Sequence, residues 1–290
     1  GKIVKSEALN WQIRSNSLDF RSGTRIMGIL NVTPDSFYDR YWKTNTAIER
    51  GLKMVDEGAD IIDIGGESTR PPLYGNVLKI DAAEEISRVL PVITALRRQT
   101  SVFLSIDTVK YEVASEALDA GVDIINDISS LEDPRMVELA ASSQAPVILM
   151  HRSRHLERSE KKHVDREFTN KIIAYLGNKI EYAKAQNIKS LAIDPGLGFG
   201  KSIDENLILM RELKKFVSLG YPVLVGASRK SFIWKTLNLS KEEGLEGSLA
   251  LAVLARLSGA QLIRVHDVKS TLRVLKMVDA VLGSGCNKKC

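Results

Sequence analysis

A chain of 290 residues with 44% hydrophobic and 27% charged side chains can bury a full core, as one large barrel or as two modest domains. Its formal charge of +5 is dispersed, which favours anionic ligands slightly but lacks the concentrated basic stripe of a nucleic-acid binder. No segment approaches a membrane span, and the two cysteines, Cys286 and Cys290, lie in a polar tail outside any disulfide framework.

Residues 1–14 have no continuous apolar core of signal-peptide length, so the cytoplasm is the expected location. The start at Gly1 reads as a trimmed chain or as one cut from a longer protein. From Arg25 onward, short apolar runs alternate with longer helical patterns. The runs fall at 25–30, 61–64, 102–106, 124–125, 146–150, 191–193, 223–225 and 262–265. Being nearly all apolar, they suit parallel strands covered on both faces. Helical spacing is predicted over 47–57, 83–98, 110–120, 135–142, 169–186, 205–219, 245–258 and 271–282. Gly58, Gly121, Gly220 and Gly259 stand where helices end.

Eight strand–helix units predict an α/β fold, a closed (β/α)8 TIM barrel, in preference to an open doubly wound sheet. No GxGxxG follows the first strand, which weakens a dinucleotide-binding reading. Nothing in the composition marks a linker, so residues 23–285 are expected to form a single barrel, followed by a polar tail at 286–290. Residues 1–22 are expected to be a short N-terminal extension closing the bottom of the barrel.

Chemistry in such a barrel gathers at the C-terminal ends of the strands. There the chain places Asn31, Gly65-Gly66-Glu67, Asp107, Asn126-Asp127, His151, Asp194, Ser228-Arg229-Lys230, and Arg264 with His266. Singly, each has an ordinary reading as a helix cap or turn former. Together, at one end of one barrel, they predict a site. Asp107, Asn126 and Asp194 offer acceptors for a ring edge bearing adjacent N–H donors, while Lys230 and Arg264 offer donors. A guanidinium can also lie flat on a heterocycle. Asn31, Lys230, Arg264 and His266 can hold phosphate, so the inventory suits a charged heterocycle with a phosphate tail.

Seven segments carry a resemblance over about 25–282: Asn31-Val-Thr-Pro-Asp-Ser-Phe37, Asp63-Ile-Gly-Gly-Glu-Ser-Thr-Arg-Pro71, Ser105-Ile-Asp-Thr108, Ile125-Asn-Asp-Ile128, Asp194-Pro-Gly-Leu-Gly-Phe-Gly-Lys201, Ser228-Arg-Lys-Ser231 and Arg264-Val-His-Asp-Val268. With these the chain resembles the dihydropteroate synthases, pterin-binding barrel enzymes that join a dihydropterin pyrophosphate to 4-aminobenzoate. The resemblance implies a pterin held by Asp107, Asn126, Asp194, Lys230 and Arg264. It implies pyrophosphate near Asn31, Arg264 and His266, with Asn31 giving one oxygen to a Mg²⁺ otherwise bound by phosphate and water. His266 as a buried structural imidazole stays open.

By the same resemblance, Phe37, Thr69, Arg70, Pro71 and Ser231 would bind 4-aminobenzoate, Ser231 taking its carboxylate at a helix start. Ser231 as an N-cap is the compatible alternative. Asp35, Phe37, Asp39, Arg70, Lys230 and His266 form the implied catalytic set, acting through charge placement and orientation on a largely dissociative substitution. The family also implies a homodimer, fusion to other folate-pathway domains and sensitivity to sulfonamides. The chain departs from the family pattern at Tyr38, Arg40 and Tyr41 after the first strand, at Pro72, and in the charged loop 152–163. Two rivals remain: a methyltetrahydrofolate-handling methyltransferase of the same superfamily, and a paralogue that binds pterin without turnover. The first has no need of the Thr-Pro-Asp-Ser-Phe, Ser-Thr-Arg-Pro and Ser-Arg-Lys-Ser segments.

Overall fold

The computed structural model describes residues 8–33, 40–67, 79–153 and 164–283, with backbone alone at 40–42. The chain opens with an antiparallel hairpin, β1 (Asn10–Ile13) and β2 (Asn16–Asp19), in which Trp11 faces Leu18. The barrel strands follow: β3 (Arg25–Asn31), β4 (Ile61–Gly65), β5 (Phe103–Asp107), β6 (Ile124–Asp127), β7 (Val147–Met150), β8 (Leu191–Asp194), β9 (Leu224–Val225) and β10 (Leu262–Val265). All pair in parallel in the order β8-β7-β6-β5-β4-β3-β10-β9. A bridge from Ile193 to Val223 joins the two ends and closes the barrel.

Helices return the chain from one strand to the next: α1 (Arg40–Asp56), α2 (Ala82–Gln99), α3 (Tyr111–Asp119), α4 (Pro134–Ser143), α5 (Phe168–Ala185), α6 (Ile203–Arg211), α7 (Lys214–Val217), α8 (Ser231–Thr236), α9 (Leu245–Leu257) and α10 (Val268–Val281). Local chemistry marks several starts. Asp81 accepts from Glu84 N and caps α2, Asp133 precedes Pro134 at the head of α4, and Ser202 with Glu205 forms a reciprocal capping box on α6. At the exit of α3, Gly121 takes φ +108°, and a Cβ there would meet the Arg97 side chain at 2.7 Å.

Two helices differ from the sequence expectation. α1 begins at Arg40 rather than at 47; the four residues before Ala47, Lys43 to Thr46, are polar, and Ala47 is the first buried residue among the side chains described in this helix. The helix expected over 205–219 is two, α6 and α7, interrupted at Glu212 and Leu213. Leu209, Leu213 and Phe216 remain buried on one face across the break, so the apolar spacing runs through it unchanged.

Strand alternation sets up everything above the barrel floor. Ile26, Ile62, Leu104, Ile125, Leu149, Ile193, Val225 and Ile263 point outward into the shell packed against the helices. Met27, Ile61, Ile124, Ile148, Ala192, Leu224 and Leu262 point inward and form the bottom layer. Trp11, Ile13, Leu18 and Phe20 of the hairpin segment join that same cluster and stopper the bottom of the barrel. One two-residue step higher, the strands present Ile29, Asp63, Ser105, Asn126, Met150, Asp194, Gly226 and Arg264 inward. The floor is apolar and the next layer largely polar.

Candidate active site

Asp107, Asn126, Asp194 and Arg264 lie within their strands as inward positions rather than after them. Arg264 is the hub. Its Nε donates to Asp63 Oδ2 at 2.7 Å and its Nη2 to Asp107 Oδ2 at 3.1 Å. Asp63 also accepts from Ser105 Oγ at 2.6 Å and from Asn126 Nδ2 at 3.1 Å. Three neighbours thus occupy the Asp63 carboxylate, which orients them. Sequence reasoning did not single out Asp63; its signal was a lone carboxylate between isoleucines in a continuous apolar run.

Asp107 is different, since its Oδ1 is buried with no hydrogen-bond partner among the described residues. Burial and the nearby Asp63 charge push its carboxyl up to about 7, against the opposing pull of Arg264. Asp194 Oδ1 accepts from Gly196 N at 2.7 Å. Burial raises the Asp194 pKa, with the Lys230 charge opposing. Lys230 Nζ donates to Leu197 O and lies 4.6 Å from the centre of the Phe199 ring. An ideal Cβ on Gly226 would lie 3.8 Å from both Arg264 Cβ and Lys230 Nζ, so this glycine keeps the space between the two cations clear.

The loop after β8 is held by residues that the sequence reading passed over. Lys201 Nζ donates to Gly196 O at 2.7 Å, His151 O at 3.1 Å and Phe199 O at 3.4 Å. Burial pushes the Lys201 amine down to about 7, against the attraction of Asp194. Asn206 Oδ1 accepts from Gly198 N at 2.7 Å. At Gly196, φ is +76° and a Cβ would fall 1.7 Å from His151 O, so no larger residue fits. The sequence could hint at this only through its glycine spacing.

On the β10 side, Ser228 Oγ lies 2.9 Å from His266 Nδ1 and accepts from His266 N at 3.1 Å. Arg229 adopts φ +54°, its N–H donates to Ser248 Oγ and its guanidinium grips Asp267. That turn delivers Lys230 and Ser231. Ser231 is exposed at the first position of α8, and Lys230 occupies the cap position, so Ser231 is not the N-cap. Asn31 ends β3, the strand paired with β10, and is part-exposed. Its backbone oxygen accepts from Arg50, while its side-chain amide has no partner among the described residues.

Two strand-end residues leave the cluster. Asp127 faces outward and accepts from Ser129 N, Ser129 Oγ and Leu131 N, fixing the turn after β6. His151 stacks edge-on against Tyr175 of α5 at 5.1 Å between ring centres. Burial depresses its pKa to about 3, so the ring is neutral. Both follow an inward residue, and strand parity turns them away from the mouth.

Glu67, by contrast, works at the stem of a loop. Lys110 Nζ bridges it at 2.7 Å to the buried Glu85 at 2.6 Å, and Glu67 Oε1 accepts from Ile80 N. The expected site residues Asp35, Phe37, Asp39, Thr69, Arg70 and Pro71, with Tyr38 and Pro72, lie outside the described residues. The side chains of Arg40 and Tyr41 lie outside them too. No group of three or more His, Cys, Asp or Glu side chains among the described residues is placed to hold a metal. No helix among them is long and apolar enough to cross a membrane.

Comparison with known proteins shows the family and the fold. The family model of pterin binding enzymes matches residues 27–266. The chain is 41% identical over 277 residues to a dihydropteroate synthase of Bacillus subtilis, covering 94% of this chain and 93% of that one. The Xanthomonas albilineans dihydropteroate synthase solved with 4-aminobenzoic acid superposes with a TM-score of 0.85 at 38% identity, covering 95% of this chain and 98% of that one. The same enzyme in complex with 7,8-dihydropteroate gives 0.82 at 34% identity, covering 95% and 99%.

Proposed function

The chain belongs to the pterin-binding enzymes, among the dihydropteroate synthases, and on that premise we propose which of its residues hold each substrate. The reaction condenses hydroxymethyl-dihydropterin pyrophosphate with 4-aminobenzoate to dihydropteroate and pyrophosphate, a transferase step of folate synthesis. The observation that carries the residue assignment is the buried, partnerless Asp107 Oδ1 in a ring of inward polar side chains. A buried acceptor without a donor is costly unless a ligand supplies one.

In this reading, Asp107 and Asp194 accept from the amino and ring N–H edge of the pterin, and Asn126 completes that edge. Lys230 donates to the opposite, carbonyl edge. Arg264, braced by Asp63 and Asp107, offers its guanidinium plane to the ring. A ligand lacking those donors would leave carboxylates unpaired in a buried site, which is the source of selectivity.

Pyrophosphate lies against Asn31, Arg264 and His266. Asn31 suits a Mg²⁺ of the kind that takes one protein oxygen and completes its shell with phosphate and water, since its side-chain amide has no partner among the described residues. When bound, the ion adds positive charge against the departing diphosphate. The C–O bond at the pterin methylene breaks largely before the C–N bond forms, and pyrophosphate leaves with the bonding pair. The arylamine then attacks the methylene and releases one proton.

Ser231 receives the 4-aminobenzoate carboxylate, and Phe37, Thr69, Arg70 and Pro71 complete that pocket. Asp35, Phe37, Asp39, Arg70, Lys230 and His266 form the proposed catalytic set. We place the enzyme in the cytoplasm as a homodimer. The exposed Leu254, Leu257, Met277 and Val281 on α9 and α10 support self-association through that face. Residues 1–22, 23–285 and 286–290 are proposed as extension, single catalytic barrel and tail, open to fusion with another folate-pathway domain.

The test is a turnover assay with the pterin pyrophosphate, 4-aminobenzoate and Mg²⁺, following both products. Matched formation of dihydropteroate and pyrophosphate, abolished by a chelator, is expected. Pyrophosphate without dihydropteroate would separate a working pterin site from a failed amine site. Neither product, with pterin still bound, would identify a paralogue without turnover.

A further inference from the structure

Ser228 and His266 leave adjacent strands of the barrel, and one hydroxyl joins them twice. Ser228 Oγ accepts the backbone N–H of His266 at 3.1 Å and lies 2.9 Å from His266 Nδ1. Ser228 is only 6% exposed, and among the described residues its hydroxyl has no other partner. A serine hydroxyl carries one proton and two acceptor lone pairs, so the possible arrangements can be counted.

If Nδ1 carried the ring proton, Ser228 Oγ would accept twice and its own proton would be buried with nowhere to go. If Nδ1 is bare, the hydroxyl proton goes to it and the backbone N–H takes one lone pair, so the hydroxyl, Nδ1 and that N–H are all satisfied. The penalty for a buried donor without an acceptor decides between them. The neutral ring then has its proton on Nε2, because an imidazole that accepts at one nitrogen donates at the other.

We infer that Ser228 is a positioning residue that holds His266 as the Nε2–H tautomer, so that the imidazole is committed to donating a hydrogen bond rather than accepting one. The tautomer stands on the geometry of the pair. Its consequence, a donor presented to the leaving pyrophosphate, rests on the placement of His266 proposed above. An imidazole of the opposite tautomer would turn a lone pair toward that anion and repel it. Ser228 thereby sets the sign of the interaction without touching the substrate.

Two measurements on the full-length protein test this and keep the two readings apart. The first is ¹⁵N NMR of the His266 ring in the unliganded enzyme near pH 8. A protonated Nε2 and a bare, hydrogen-bonded Nδ1 are expected; a protonated Nδ1 would overturn the inference. The second is a double-mutant cycle read as affinity for inorganic pyrophosphate with Mg²⁺, using Ser228→Ala, His266→Gln and the pair. A hydrogen bond to a charged group predicts a loss of roughly 10-fold for Ser228→Ala. That loss should vanish in the His266→Gln background, and Ser228→Thr should restore most of it. Equal losses in both backgrounds would show that Ser228 acts on the fold instead, and no loss in either would end the positioning role. A His266→Gln affinity like that of the unaltered protein would sink the pyrophosphate placement alone and leave the NMR result to judge the tautomer.

Discussion

Arg264 donates through Nε to Asp63 at 2.7 Å, a contact between residues 201 positions apart in the chain. The two side chains rise from non-adjacent strands, β10 and β4, with β3 between them. The pair therefore spans the barrel interior and brings the guanidinium to Asp107 as well. Removing one partner of a buried ion pair commonly costs about 3–5 kcal/mol, because the other charge is left uncompensated. Arg264 would keep Asp107, so the low end applies. Asp63→Asn should lower folding stability by about 3 kcal/mol. Urea unfolding checks it, and an unchanged stability would refute the brace.

A pH dependence follows from Asp107, whose carboxyl is raised from 3.8 to about 7 by burial and by the Asp63 charge. A raised folded-state pKa gives a contribution to stability that is full below the unfolded value and lost as pH rises through the folded one. Denaturant titrations should therefore show stability from this group falling between pH 3.8 and about 7, and Asp107→Asn should flatten that slope. Pterin affinity should move the other way, rising as the carboxylate ionises to accept ligand N–H groups. Lys201, lowered from 10.5 to about 7 by burial, has its stability effect above that window, with stability rising between about 7 and 10.5. Lys201→Met separates the two.

Gly226 gives a cleaner test of where the ligand lies. A Cβ there would make only ordinary contacts of 3.8 Å with Arg264 Cβ and Lys230 Nζ. Gly226→Ala should melt within a few degrees of the unaltered protein, as benign substitutions do, yet lose at least about 10-fold in pterin affinity. Full affinity would mean that the space between the two cations is not ligand space.

Trp11 tests the stopper. It is 2% exposed and packs with the bottom layer of the barrel. Trp11→Ala should cost about 3–5 kcal/mol in urea unfolding, the usual price of a large cavity. Trp11→Phe should cost less, because Trp11 Nε1 has no hydrogen-bond partner to lose. Folded protein of either variant should bind pterin normally, since the site lies on the layer above.

The two substrates can be separated by mutation. Asp194→Asn should cripple pterin binding, since a neutral amide presents one donor where two acceptors are wanted. Phe37→Ala should spare pterin and raise the 4-aminobenzoate requirement. Steady-state kinetics with each substrate varied in turn reads both, and an equal loss for both substrates in Phe37→Ala would count against its place beside the amine.

Much of this protein is legible in its sequence. The alternation of short apolar runs with helical spacing is a local property, so the (β/α)8 barrel and the polar ring at its strand ends follow from it. The composition of that ring pointed to a heterocycle with a phosphate tail, and seven short segments pointed to the family. Strand parity was not visible, because it needs the register. Asp127 and His151 sit beside inward residues yet face outward, and only the pairing of the strands decides which neighbour is which.

Tertiary structure also decided what the polar residues do to one another. Asp63 reads in the sequence as an odd carboxylate in a buried strand, and the closed barrel makes it the brace of Arg264, Ser105 and Asn126. Burial moves the Asp107 pKa, and burial is a property of the whole assembly. The helix break after Arg211 left no trace in the apolar spacing, because both pieces bury the same face. Patterns of three or four residues are written along the chain, whereas contacts across 201 positions exist only once the barrel has closed.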